Sequence, residues 1–106
     1  MKVDRGRRKK VRYIQKMPHI THFSPRGKAG RPDEIELTLD EFEAIRLADF
    51  QALSHIDAAK SMGVSRPTFG RVVNEARKKV AAALIGGKSI HIRIGKAQVG
   101  VRKDKK

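Results

Sequence analysis

The segment from residue 66 to residue 84 constrains the fold more than any other part of the chain, because its apolar residues recur at intervals of three and four. Such intervals place side chains on one side of an α-helix. The apolar positions are Phe69, Val72, Val73, Ala76, Val80, Ala83 and Leu84. A chain of 106 residues is expected to form one modest core. We therefore predict that this long helix packs its apolar face into that core.

Residues that favour helix ends flank this segment. Ser65 is a preferred N-cap residue, and Pro67 is tolerated because first-turn amides have no intrahelical acceptor. Ser54 predicts the start of a shorter helix, which Gly63 ends because glycine adopts the left-handed conformation without a clash. The glycine pair at 86–87 ends the long helix. The sequence thus predicts two helices joined by a tight turn.

An earlier helix and a pair of strands complete the predicted fold. Thr38 and Glu41 have the spacing of a capping box, which predicts a helix over residues 39–49 after an alternating stretch at 35–39. Its predicted core residues are Phe42, Ile45 and Ala48. Isoleucines alternate with polar residues over 90–94, which predicts a strand. Since a lone strand is unstable, we expect it to pair with residues 19–23.

These elements predict a mainly α fold: a three-helix helix-turn-helix domain with a short β pair between its N- and C-terminal parts, and basic flexible arms. The predicted boundaries are a basic disordered arm at 1–16, the domain at 17–95 and a basic tail at 96–106.

The formal charge is +14 and is unevenly distributed along the chain. Residues 1–31 hold eleven basic side chains against one acidic, whereas residues 32–53 hold seven acidic against one basic. The segments 54–86 and 87–106 are again basic, at +4 and +6. Because a compact body of this charge repels itself, a polyanionic partner is expected.

Several classes of protein do not fit the composition. Without cysteine the chain has no disulfide, thiolate metal site or cysteine nucleophile, and it suits a reducing cytoplasm, where we expect it. No apolar run is long enough for a membrane span, and the first residues lack the apolar stretch of a secretory signal, so we expect neither feature. No nucleophile, base and orienting group form a local pattern, so we expect no catalytic residues, no enzymatic activity and no small-molecule substrate.

The four histidines raise the question of a metal site. They are His19, His22, His55 and His91. Two of them, His19 and His22, lie in one predicted strand, where a spacing of three puts them on opposite faces. We therefore predict neither a metal site nor a cofactor.

The two adjoining helices carry the packing residues that a helix-turn-helix requires. Small residues are needed where the helices cross, glycine at the bend, and apolar residues to fix their orientation. The matching residues are Ala58, Ala59, Met62, Gly63, Val64, Phe69 and Val72. An ordinary helical hairpin satisfies the same packing pattern. It does not require basic residues on the outer face of the second helix, which this sequence carries.

The start of the long helix projects in this arrangement and predicts a reading surface for duplex DNA. Arg66 and Arg71 offer bidentate donors to guanine, and Asn74 can pair with adenine. The alternative for Arg71 is a contact with phosphate instead of a base, and the alternative for Asn74 is exposure to solvent without a base contact. A glycine inside a helix costs about 1 kcal/mol relative to alanine. The presence of Gly70 is understandable if a base or sugar of the DNA comes close to the helix at that position.

The remaining predicted DNA contacts are to the sugar-phosphate backbone. Ser65 and Thr68, with the free amides of the helix start, suit phosphate oxygens. Pro67 lies on the same face, and Lys78 and Lys79 are expected to reach flanking phosphates. In the N-terminal arm the expected phosphate contacts are Arg7, Arg8, Lys9 and Lys10.

Two stretches of the sequence resemble a known family. They are L-T-L-D-E-F-E-A-I-R-L-A-D-F at 37–50 and A-A-K-S-M-G-V-S-R-P-T-F-G-R-V-V-N-E-A-R-K-K-V-A-A-A-L at 58–84, followed by G-G-K-S-I-H-I at 86–92. The family is the prokaryotic domain of unknown function one-three-four, whose members are predicted DNA-binding proteins. Its helix-turn-helix is similar to region four of bacterial sigma factors, which implies that the helix beginning at Arg66 enters the major groove. Members commonly carry cysteines in the basic N-terminal segment, which this sequence lacks.

The leading hypothesis is a sequence-selective duplex DNA-binding protein that regulates transcription. One alternative is a nonspecific DNA- or RNA-binding protein driven by the basic arms. Another is an interaction module that docks on RNA polymerase, and a homodimer is a further possible assembly.

Overall fold

A computed structural model of the chain describes residues 12–27, 30, 32–95 and 99–101. Its strands are β1 (Arg12–Ile14), β2 (His22–Phe23), β3 (Glu34–Thr38), β4 (Ser89–Arg93) and β5 (Val99–Val101). Its helices are α1 (Leu39–Ile45), α2 (His55–Met62) and α3 (Arg66–Gly86), and a π-helical turn, Arg46–Phe50, continues α1. The predicted order of three helices, with strands before and after them, is confirmed.

The helix ends are formed by the residues that the sequence indicates. Ser54 Oγ accepts a hydrogen bond from the Asp57 amide at 3.1 Å, and Ser65 Oγ accepts one from the Thr68 amide at 3.2 Å. Gly63 ends α2 with φ 70° and Gly87 ends α3 with φ 62°, both in the left-handed region. Only residues 63–65 therefore separate α2 from α3.

The predicted start of α1 is confirmed, and its predicted core residues pack against the core without being its most buried members. Thr38 and Glu41 form the reciprocal capping box. The most buried apolar residues are Leu39, Ala44 and Leu47, whereas Phe42, Ile45 and Ala48 are only half-buried. Two features explain the difference. The helix packs against α3 and also against β1 and β3, so its buried surface is wider than one stripe. The π-helical turn shifts the register of the buried face only from Arg46 onward, where Leu47 and Ala48 lie.

One core cluster fixes α2 against α3. Its buried members are Ala44, Leu47, Ala58, Ala59, Met62, Phe69 and Val73, with Ala48, Leu53, Val64 and Val72 packed on them. The imidazole of His55 meets the Phe69 ring edge-on, with centroids 5.1 Å apart. The apolar residues predicted to fix this pair of helices thus all lie in one cluster around the turn.

Strand β4 is the centre of a three-stranded sheet. It pairs with β2, as predicted, in antiparallel orientation, and it also pairs parallel with β3, which the prediction of a simple β pair omits. The apolar face of this sheet packs on α3 through a second cluster, which comprises Ile14, Leu37, Leu39, Ala76 and Ile92. Strands β1 and β5 form a separate parallel pair.

Two further predictions are corrected by the structure. Strand β1 lies within residues 1–16, which were assigned to a disordered arm, yet its Ile14 is fully buried. The packed body therefore begins at or before Arg12. Leu84, assigned to the apolar stripe, is 76% exposed, although the adjacent Ala83 is 4% exposed. Residues 1–11, 96–98 and 102–106 lie outside the described residues, so the predicted arms are not tested there.

Candidate nucleic-acid interface

The first half of α3 presents the predicted reading residues on one outward face. Ser65, Arg66, Pro67, Arg71, Asn74 and Lys78 are exposed, and Thr68 and Gly70 are half-exposed. Positions 66, 70, 74 and 78 follow one another at intervals of four and, with the exposed Arg71 beside them, form a ridge about 18 Å long at 1.5 Å per residue. The buried face of the same helix holds Phe69, Val73 and Ala76. The core therefore fixes which way the outward residues point.

The basic residues of α3 divide into paired and unpaired groups. Arg77 donates two hydrogen bonds to Asp49 at 2.9 and 3.1 Å, and Lys79 donates two to Glu41 at 2.8 and 3.1 Å. In the described part of the chain, no carboxylate forms an ion pair with Arg66, Arg71 or Lys78. The available positive charge thus lies on the face that carries the predicted reading residues.

The prediction of a phosphate contact for Lys79 is corrected by the structure. Lys79 was expected to reach a flanking phosphate, but its ammonium group lies against the buried Glu41. This ion pair connects α3 to α1. Removing Lys79 would leave the buried Glu41 carboxylate without its partner, which is costly.

The acidic segment before α2 is largely neutralised by basic residues inside the structure. The pairs are Arg12 with Asp40, Lys79 with Glu41, Arg46 with Glu43, Arg77 with Asp49 and Arg93 with Glu36. The hydrogen bond that Arg77 donates to Asp49 raises the pKa of its guanidinium above the ordinary value, so this group stays charged. These pairs leave the unpaired cations of α3 facing outward.

Gly70 lies in the middle of the ridge and has open space beside it. A methyl group added there meets no other part of the described chain within 4 Å. Its backbone is not in the left-handed region, since the described glycines with positive φ are Gly30, Gly63 and Gly87. Neither packing nor backbone conformation within the chain therefore requires glycine at position 70.

The start of α3 offers fewer backbone donors than predicted. The Thr68 amide donates to Ser65 Oγ, and the Phe69 amide donates to the Ser65 carbonyl at 2.9 Å. Pro67 has no amide hydrogen. Contacts to an anion at this helix start must therefore come mainly from side chains, whose hydroxyls and guanidinium groups are exposed there. Arg71 also approaches Thr68 Oγ1, at 3.4 Å.

The four predicted arm residues, Arg7, Arg8, Lys9 and Lys10, lie outside the described residues. The first described residue, Arg12, pairs with Asp40 at the start of α1.

A cluster on the polar side of the three-stranded sheet escapes the sequence analysis. His22 of β2 is opposite His91 of β4, and their rings stack with centroids 4.1 Å apart. His91 Nδ1 lies 3.4 Å from a carboxylate oxygen of Glu34 in β3. The spacing between His19 and His22 concerns one segment only, whereas the structure brings His22 beside a histidine from a distant segment. Only the β2–β4 register reveals this neighbour.

Comparison with known proteins gives the family. The model for the family described as protein of unknown function DUF134 matches residues 1–99, and the chain belongs to that family. A UPF0251 protein from Chlorobium chlorochromatii is 50% identical over 93 residues, which cover 85% of this chain and 51% of the relative. A second, from Chlorobaculum tepidum, is 49% identical over 92 residues, covering 86% and 60%. A third, from Thermoanaerobacter pseudethanolicus, is 46% identical over 91 residues, covering 85% and 77%.

The chain thus spans about half to three-fifths of the length of the first two relatives. No solved structure matches the chain significantly. Among the described residues, no helix has both the length and the apolar character needed to cross a lipid bilayer.

Proposed function

We propose that this protein binds duplex DNA sequence-selectively and regulates transcription, with α2 and α3 as a helix-turn-helix similar to region four of sigma factors. The proposal depends on one observation: the exposed ridge of α3 carries the basic side chains that have no internal acidic partner. It involves no catalysis and no small-molecule substrate.

The dimensions of the ridge suit the major groove. An α-helix with its side chains is about 10–12 Å across, and the groove is about 12 Å wide. Arg66 and Arg71 lie in the first two turns, where recognition helices meet base edges, and each presents a planar fork that matches guanine O6 and N7. Asn74, one turn beyond Gly70, has the amide geometry that matches adenine N6 and N7.

Phosphate contacts fix the register of such a complex on the duplex. Lys78 is exposed at the far end of the ridge, and the hydroxyls of Ser65 and Thr68 lie at the near end. In the proposal these groups hold the helix in the groove from both ends. The basic arm with Arg7, Arg8, Lys9 and Lys10 adds affinity through neighbouring phosphates without reading sequence.

The chain provides a matched pair of variants to test the proposal. Arg71→Ala and Arg77→Ala remove the same charge from the same helix, but Arg71 belongs to the ridge whereas Arg77 pairs with Asp49. Affinity is measured by fluorescence anisotropy on a duplex selected from random sequence, and again on a scrambled duplex. Arg71→Ala should weaken binding to the selected site by about 1–3 kcal/mol and relax its selectivity. Arg77→Ala should change both affinities only slightly.

Three other outcomes decide against parts of the proposal. Equal weakening on both duplexes by Arg71→Ala assigns Arg71 to phosphate contact. Failure of selection to enrich any sequence, with a steep salt dependence, favours the nonspecific binding that the basic arms suggest. No binding to duplex at low salt favours a protein-docking role, with RNA polymerase or another copy of this chain as the partner.

A further inference from the structure

The polar side of the three-stranded sheet brings together three metal-ligating side chains from three different strands. They are His22 on β2, His91 on β4 and Glu34 on β3, and one ligand atom from each lies within 4.8 Å of the others. His22 and Glu34 are exposed and His91 is partly exposed, so an ion in solution can reach all three. We propose that this cluster binds a divalent transition-metal ion of the zinc class and thereby joins the three strands.

To bind one ion, the ligand atoms must move closer together and one of the two stacked imidazole rings must turn. Zinc binds histidine nitrogen and carboxylate oxygen at about 2.0–2.2 Å, so in a tetrahedral site the ligand atoms are about 3.3–3.5 Å apart. His91 Nδ1 and the Glu34 oxygen already lie 3.4 Å apart. The adjustment falls mainly on His22, whose ring lies nearly parallel to that of His91, at 9°. Since His22 is exposed on a two-residue strand, its ring is free of the core and can turn.

The donor set selects the kind of ion. Two imidazoles and one carboxylate suit zinc, copper or nickel, whereas magnesium and calcium prefer sites built from oxygen ligands. Three protein ligands leave a fourth position for water. The neighbouring Glu36 is paired with Arg93 at 3.2 Å and lies outside the cluster, so the site has one carboxylate available and not two.

Such an ion would act on the sheet that supports α3. The three ligands come from every strand of the sheet, and the opposite face of that sheet packs on α3 through Leu37, Ile92 and Ala76. An ion that binds the folded chain alone stabilises it by mass action. The bound ion would thus stabilise the sheet on which α3 packs. This inference does not depend on the proposed DNA binding.

The test is titration of the full chain with zinc alone, with matched variants. Calorimetry at neutral pH should show one zinc ion per chain. At a free zinc concentration a hundred times Kd, Tm should rise by about 10–20 °C. His22→Ala, His91→Ala and Glu34→Gln should each weaken zinc binding by about tenfold or more, since even groups outside the ligand shell contribute about that much to affinity. Lowering the pH should weaken binding because a bound imidazole must be unprotonated.

Two variants serve as controls. His19→Ala removes a histidine that is outside the cluster, and Glu36→Gln removes a carboxylate from the same strand as Glu34. Both should keep the affinity of the unchanged chain. Circular dichroism of each variant without zinc establishes that the fold is retained, so weaker zinc binding by a folded His91→Ala supports the proposal. Equal zinc binding by the unchanged chain and a folded His22→Ala/His91→Ala double variant overturns it. An equal loss on His19→Ala also overturns it.

Discussion

Replacing Gly70 with alanine separates the stability of α3 from its proposed contact with DNA. Glycine costs about 1 kcal/mol relative to alanine inside a helix. The added methyl group meets nothing in the described chain within 4 Å, so no clash offsets that gain. The free energy of unfolding should therefore rise by about 1 kcal/mol, and Tm by roughly 4–8 °C for a body of this size. Thermal unfolding followed by circular dichroism measures both.

The same methyl group should weaken DNA binding. Gly70 lies between Arg66 and Asn74 on the ridge, where the proposal brings a base or sugar close to the helix. A methyl group that separates the two surfaces should lower affinity for the selected duplex about tenfold, which corresponds to 1.4 kcal/mol. Stability and affinity thus change in opposite directions, which a general effect on folding does not produce.

A control variant and two contrary results complete this experiment. Ala82→Gly, at an exposed position further along α3, should lower stability by about 1 kcal/mol and leave DNA affinity unchanged. If Gly70→Ala binds the duplex as tightly as the unchanged chain, Gly70 does not lie at the interface. If it lowers Tm, the account of position 70 as free of packing is wrong.

Three further predictions concern the fold and the charges on α3. Glu43→Gln should lower the free energy of unfolding by about 3–5 kcal/mol in urea denaturation, because Glu43 is fully buried and Arg46, 12% exposed, loses its charged partner; a loss below 1 kcal/mol contradicts this. Ala52→Gly should raise the free energy of unfolding by about 0.5–1 kcal/mol in the same assay, since Ala52 has φ 58°, in the left-handed region that glycine adopts without strain. A decrease in the free energy of unfolding would show that the backbone at Ala52 is not strained. Lys78→Ala should reduce the slope of log affinity against log salt on duplex DNA by about 1, and the paired Lys79 should contribute nothing to that slope. Equal slopes for Lys78→Ala and Lys79→Ala rule out a distinct role for Lys78.

The parts of the fold that the sequence predicts well are set by local chemistry. Ser54, Ser65 and Gly63 determine helix ends through bonds to neighbours within a few residues, so their roles are evident from the sequence. The same holds for the apolar side of α3 over its first turns. Leu84 is different: periodicity assigns it to the apolar stripe, yet it is exposed beside the buried Ala83.

Other features depend on contacts between distant parts of the chain. The charge of Glu43 is stabilised by Arg46 nearby and by the amide of Gln15, 28 residues away, at 2.9 Å. This buried network connects the segment after β1 to α1, and no local pattern predicts it. The hydrogen bond to Glu43 raises the pKa of the Arg46 guanidinium above its ordinary value.

The candidate interface was predictable where it depends on local helix geometry and not where it depends on contacts between distant segments. Helical periodicity places Arg66, Arg71 and Asn74 on one face, and the structure agrees. Periodicity places Lys78 on the ridge and Lys79 about 100° further round the helix, but the pairing of Lys79 with Glu41 depends on how α1 packs on α3. The histidine cluster likewise depends on the pairing of β2 with β4.

Methylation interference on the selected duplex tests the central claim most directly. The N7 atom of guanine faces the major groove, so methylating it blocks an arginine fork without altering the minor groove. We expect modification of particular guanines in the selected site to abolish binding by the unchanged chain, and Arg71→Ala to lose sensitivity at one of them. Binding that is indifferent to methylation at every guanine N7 would contradict major-groove recognition by α3.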